Sequence, residues 1–364
     1  MDILFWNFLN NSQLNTTGPP ENLTSVYSTV WWIQIIMAVL SIIGSGSIIF
    51  YAVFQRLVRT SEVQPLFLLS LTDLLLAVSW LSGALLFKSC DSYVSCYNLH
   101  TVEQTLYMAS FFYTLNYVWV LYMGLKDNYN RTLNGFPAQF PAQMSHCRHR
   151  AAIMSCLLPL LLTVPVYITG NIHQCYINFT QPYKCLLLHT GALYLTSPVS
   201  NMLTSCKIIS TYTIIIFLIT FFFTLIGIVV IMHKACSLYR RCFTSRGFFG
   251  DRQWATLRVL EQRMVLYPCA YLFCWAPAIL LASLMLIRPQ EVKGRVGMIL
   301  YILEAFTCAS QGFLNCIVYG WTQQHFRSLS SVTVRDADTQ TPLLRSQRRT
   351  YASLSSSSLP TQIV

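Results

Sequence analysis

Three carboxylates in this chain stand where carboxylates are expensive. Asp73 and Glu304 each lie inside a long apolar run, and Glu103 lies just before another, seven residues after Cys96. An acid at mid-membrane depth costs at least ~2.5–3.5 kcal/mol, so it faces a bundle interior and takes a partner there. For Asp73 the partners on offer are Asn315 and Tyr319. They are four residues apart and so share one helix face. Trp275 stands two residues before Pro277, with Pro268 in the same run. A proline removes one helix hydrogen bond and kinks the span, so a bulky ring beside it can couple a contact to bending. Asp73, Asn315, Tyr319, Trp275 and Pro277 therefore read as a polar switch. Glu103 and Glu304 enter from the same side. With Tyr107, Phe111 and Trp275 they would line a cavity suited to a small cation, because aromatic faces attract positive charge.

Each of these residues also has a plainer reading. Asp73 would serve as a structural polar contact, and Trp275 as aromatic core. Glu304 would be hydrated or paired near the outer mouth. Glu103 would pair there with Lys88 or Arg295, or be hydrated. Catalysis is not expected. A metal-dependent hydrolase needs a His/Asp/Glu cluster at one depth, and Asp73 and Glu304 belong at different depths. No His-x-x-x-His falls on a span and no Cys-x-x-Cys occurs, so no metal or other cofactor is expected.

The elements that position these groups are seven apolar runs, at about 29–55, 63–87, 104–125, 151–170, 208–232, 264–287 and 296–320. Each is long enough to span a bilayer as a helix, which takes roughly 20 residues. Five of the seven contain no Asp, Glu, Lys or Arg. The expected fold is an all-α, integral-membrane seven-helix bundle whose first partner is lipid. Composition agrees: 54% of residues are apolar and 10% charged. The net charge of +11 would suit nucleic acid, but its placement excludes that partner. Eighteen of the 24 lysines and arginines fall in the first, third and fifth loops and the tail. Basic loops stay cytoplasmic, so the amino terminus is expected outside and the carboxyl terminus in the cytoplasm.

Residues 1–28 form an expected extracellular segment with glycan acceptors at Asn10, Asn15 and Asn22. A fourth acceptor, Asn178, lies in the second outer loop, whereas Asn130 falls on a cytoplasmic loop and should stay bare. The first run serves as signal anchor, since the start lacks the features of a cleavable signal peptide. Residues 322–329 are expected as a short helix on the inner membrane surface, and residues 330–364 as a disordered cytoplasmic tail. Four cysteines fall in outer loops, Cys90, Cys96, Cys175 and Cys185, and Cys206 is close by. An oxidising face lets them pair. The four allow three connectivities; Cys96–Cys185 with Cys90–Cys175 is favoured, because Cys96 abuts the third run and can tie it to the loop.

Over about residues 29–330 the chain resembles the G-protein-coupled receptors. Asp73 sits in a Leu-x-x-x-Asp pattern, Cys274–Pro277 matches Cys-Trp-x-Pro, and Asn315–Tyr319 matches Asn-Pro-x-x-Tyr with Cys316 in place of the proline. Cys96 looks like the family's bridged cysteine. Departures are as clear. Val120-Leu121-Tyr122 stands where an Asp-Arg-Tyr triplet is usual, so the arginine that engages the G protein is missing. Leu-Tyr-Pro at 266–268 and Gln-Gly-x-x-Asn at 311–315 look more like the cyclic-AMP-receptor-like branch. The resemblance implies a multi-pass receptor, at the plasma membrane or an endomembrane, that passes an external ligand signal to a heterotrimeric G protein. The alternative keeps the bundle without G-protein signalling, as a transporter, chaperone or scaffold.

Overall fold

The computed structural model describes residues 21–56, 63–89, 93–134, 141–178, 185–186, 204–244, 251–288, 292 and 295–323. Among them all regular structure is helical: α1 (Glu21–Phe54), α2 (Val63–Ser89), α3 (Tyr93–Asn134), α4 (Pro141–Ile172), α5 (Thr204–Thr244), α6 (Asp251–Ile287) and α7 (Arg295–Ala309), with a 3-10 turn at Cys175–Asn178. A final helix, α8 (Gln311–Gln323), follows α7 across a 48° bend at Ser310. Residues 1–20, 324–364 and Cys90 lie outside the described residues. So do the calls made there: the sequons Asn10 and Asn15, most of the juxtamembrane helix, and the tail. Asn22 lies in the first turn of α1 and Asn178 in the 3-10 turn.

The helices outrun the apolar runs that announced them. α1 begins eight residues before the expected Thr29, and α3, α5 and α6 extend past the expected ends by two turns or more. Hydrophobicity marks where lipid touches the helix, while the backbone ladder continues into the polar flanks.

Side-chain placement is inside-out relative to a water-soluble bundle. Ile43, Phe50, Phe54, Leu161, Ile219, Phe223 and Ile226 point outward. Gln34, Ser41, Asp73, Glu103, Gln104, Glu304, Gln311 and Asn315 are buried. Lipid offers no hydrogen bonds, so polar groups turn inward. Five stretches are long and apolar enough to cross a membrane: Val26–Phe54, Val63–Phe87, His146–Ile172, Thr204–Arg241 and Arg258–Ile287. The bent pair α7–α8 makes a sixth. The expected span at 104–125 does not join them, although α3 is 42 residues long. α3 packs against α2, α4, α5 and α6. Its polar residues, among them Glu103, Gln104, Ser110 and Asn116, are buried against protein, so it does not need the apolarity of a lipid-facing helix.

Around α3 the outer helices pack in sequence, with α1 against α2 and α7, and α6 against α5 and α7. Small residues set the closest approach. Gly44 of α1 faces α8, where an added Cβ would come within 2.9 Å of the Gly312 carbonyl oxygen and the Phe313 Cα. A Cβ on Gly312 would overlap the Ser45 hydroxyl. Such contacts let two backbones approach closely, the usual way helices associate without a hydrophobic drive.

Candidate functional site

The break at Ser310 builds the site. Helix starts leave backbone N–H groups without partners, and α8 starts in the middle of the bundle. The Gly312 N–H donates to Ser41 Oγ of α1 at 2.9 Å. Gln311, the first residue of α8, turns its amide toward the axis. Its Nε2 donates to Asp73 Oδ1 at 2.8 Å and to Ser110 Oγ at 2.6 Å. Its Oε1 accepts from Trp275 Nε1 at 2.8 Å. One turn on, Asn315 Nδ2 donates to Asp73 Oδ2 at 2.7 Å, and Ser110 Oγ donates to Oδ1 at 2.9 Å.

Asp73 therefore accepts three hydrogen bonds, on both oxygens, and is 2% exposed. Acceptance by both oxygens is the pattern of a carboxylate. Burial makes each bond matter, because a group left unpaired here would pay its full desolvation cost. The network joins α2 (Asp73), α3 (Ser110), α6 (Trp275) and α8 (Gln311, Asn315). It thus crosses both irregular elements, the proline-bearing α6 and the broken α7–α8 rod.

Above the network lies an aromatic cluster. The Trp275 ring is 4.7 Å from Phe111 and 5.5 Å from Tyr107, centroid to centroid. Phe217, Phe221 and Tyr271 complete it. Beside Pro277, the Cys274 carbonyl accepts from the Cys308 thiol at 3.2 Å, a second tie from the proline-bearing helix, this one to α7.

The two glutamates are deeper than expected. Glu103 and Glu304 are both fully buried, so neither sits hydrated at a mouth. Both lie inside the helical bundle, Glu103 on α3 and Glu304 on α7. Glu103 Oε2 also meets His100 Nδ1 at 3.1 Å, from the preceding turn. Tyr107 and Phe111, expected to line a cavity, are buried with their ring centroids 5.7 Å apart. Tyr319 lies one turn beyond Asn315 on α8. Its ring packs on Tyr51 of α1 and under the guanidinium of Arg263.

At the far end from Arg263, two disulfides fasten the bundle. Cys96–Cys185 joins α3 to the segment at 185–186, as expected. The second corrects the favoured pairing: Cys175 bonds Cys206, not Cys90. The reason is local. Cys175 is in the turn that follows α4, Cys206 is in the first turn of α5, and the Cα atoms are 5.5 Å apart. Adjacent helices bring the two ends together, so Cys206, close by in the sequence, takes the place given to Cys90.

Gln311 and Ser110 were missed as site residues. Gln311 carried a legible signal, since its four-residue spacing from Asn315 puts both amides on one face. Ser110 carried none; serines are common inside helices.

A family model described as Transmembrane protein 116 matches residues 27–353. The chain belongs to the transmembrane protein 116 family. The match covers every helix described above except the first six residues of α1, and with their lipid-facing apolar surfaces it makes the chain a multi-pass membrane protein.

Proposed function

We propose that this member of the transmembrane protein 116 family is a seven-helix, G-protein-coupled-receptor-like signal transducer. In this reading α3 is the seventh span, screened from lipid by its neighbours. The basic loops face the cytoplasm, and the disulfide end and the glycan acceptors face outside, most simply at the plasma membrane. The protein acts on no substrate. It binds a small external ligand and changes helix arrangement, and cytoplasmic partners, a heterotrimeric G protein first among them, read the change.

One observation carries the reading: the hydrogen-bonded chain Trp275–Gln311–Asp73–Asn315, which ties a proline-bearing helix to a broken one at the bundle centre. A structure with two arrangements needs contacts that differ between them. Directional bonds between a proline-bearing helix and a broken one supply such contacts; uniform apolar packing does not. Above it, Glu103 and Glu304 favour a cationic ligand, since a buried carboxylate gains most from a positive charge. Glu103→Gln and Glu304→Gln would each reduce the potency of a cationic agonist; a potent anionic agonist indifferent to both overturns the ligand class.

The test of the transducer reading is expression of the full chain with a surface epitope, followed through basal cyclic AMP and G-protein recruitment. Asp73→Asn keeps shape but turns one acceptor oxygen into a donor facing donors. It and Asn315→Ala are expected to change signalling several-fold at matched surface level. If both signal as wild type in a responsive assay, or neither reaches the surface, the network is structural only. The second reading, a bundle without G-protein signalling, is favoured by Val120-Leu121, buried where a receptor would present its arginine. Unchanged recruitment in every variant and in wild type alike supports it.

A further inference from the structure

α6 is tied to its neighbour at two heights. The upper tie is Trp275 on Gln311. The lower tie is Arg263, which sits three turns away toward the basic end of the bundle. Arg263 Nε donates to Thr322 Oγ1 at 3.1 Å, and Nη2 donates to Gln323 Oε1 at 2.9 Å. Its guanidinium carbon lies 5.2 Å from the centre of the Tyr319 ring. The acceptors are prepared for it. Thr322 is fully buried, and its hydroxyl proton goes to the Val318 and Tyr319 carbonyls at 2.8 and 3.0 Å, which turns a lone pair toward the arginine. Tyr319 in turn packs on Tyr51, so the contact reaches α1 as well.

Between the two ties stands Pro268. It leaves the Met264 carbonyl without its helix partner and makes this the soft point of α6. Below it, Met264 and Tyr267 hold by apolar and aromatic packing, Tyr267 against Tyr117 of α3 at 4.7 Å between centroids. Such packing is non-directional and tolerates sliding. The guanidinium fork does not, because two N–H groups and a ring must be met at once.

We infer that Arg263 is a latch: it locks the segment of α6 below Pro268 onto α8 and holds the basic end of the bundle closed. Release of the fork lets this segment swing about Pro268 while the part above stays fixed by Trp275. The consequence for signalling rests on the transducer reading; the latch itself does not.

Amide hydrogen exchange on the full-length chain in lipid nanodiscs tests it without ligand or G protein. Arg263→Ala is expected to speed exchange at 258–267 about tenfold and to leave 269–287 within a factor of about two, because only the segment below the hinge loses its tie. Arg263→Lys keeps the charge but lacks the fork, and it should resemble Arg263→Ala. Gln323→Ala removes one arm and should give about a threefold rise; it also serves where Arg263→Ala does not fold. No change at 258–267, full rescue by lysine, or an equal rise along all of α6 overturns the latch. Normal signalling by the Asp73 variants would sink the transducer reading and leave this result standing.

Discussion

At the residue scale the centre of the molecule is an amide, not an acid. Asp73 attracts notice because of its cost in a membrane, yet it only accepts. Gln311 both accepts from Trp275 and donates to Asp73 and Ser110. Replacing it with methionine, similar in length and apolar, takes this acceptor from the indole N–H and leaves Asp73 Oδ1 with Ser110 alone. Each orphaned group costs about 1–3 kcal/mol in a buried site, although membrane bundles recover part by finding other partners. Gln311→Met is therefore expected to cost about 2 kcal/mol, read as a fall in thermal midpoint of the purified chain in detergent. In a double-mutant cycle Trp275→Phe should add little on top of it, since the bond is already gone. Strict additivity would mean that the two side chains do not interact. Asp73, Trp275 and Asn315 were legible because their types are rare or patterned in apolar runs. Gln311 was legible only through its spacing from Asn315, and nothing in the sequence marks where the seventh run breaks.

At the element scale the break between α7 and α8 decides what α1 must be. α8 approaches α1 so closely that small residues line the seam, Ser41, Gly44 and Ser45 on one side and Gly312 on the other. An added methyl at Gly312 meets two serine oxygens and a backbone carbonyl, which cannot retreat without parting the helices. Overpacking of this kind costs about 1–3 kcal/mol. Gly312→Ala is thus expected to lower the thermal midpoint. Gly46→Ala and Gly320→Ala should hold or raise it, because nothing lies within 4 Å of either Cβ and alanine is the better helix former by ~0.5–1 kcal/mol. Equal responses at all three glycines would refute the seam. The helices themselves were readable from apolar runs. Their true ends were not, because a helix continues through polar flanks that no longer meet lipid. The low apolarity of α3 has the same origin: burial against protein relaxes the demand that lipid makes.

At the scale of the whole molecule, two chemistries separate the ends. One carries both disulfides, the other Arg263 and Lys126. α3 joins them. From Cys96 to Asn130 it rises about 50 Å at 1.5 Å per residue, more than the ~30 Å hydrocarbon core. In the proposed topology a membrane fits between the two ends, with Cys96 and Asn130 on opposite sides of it. An oxidised Cys96–Cys185 pair belongs on the face away from cytosolic reductants. That same face should then hold every glycan. Glycosidase is expected to shift the wild-type band, and loss of Asn10, Asn15, Asn22 and Asn178 together should abolish the shift while Asn130 remains. Peptide mapping without reduction should recover Cys96–Cys185 and Cys175–Cys206. Cys206→Ser should then expose Cys175 to a membrane-impermeant thiol reagent added outside intact cells. The two readouts are independent, one of sugar and one of sulfur, yet both follow from a single placement of α3. Glycan on Asn130, or a freed Cys175 that labels only after permeabilisation, would turn the bundle over and make the basic end the outer one. That outcome would also move the Arg263 latch to the face that meets the ligand.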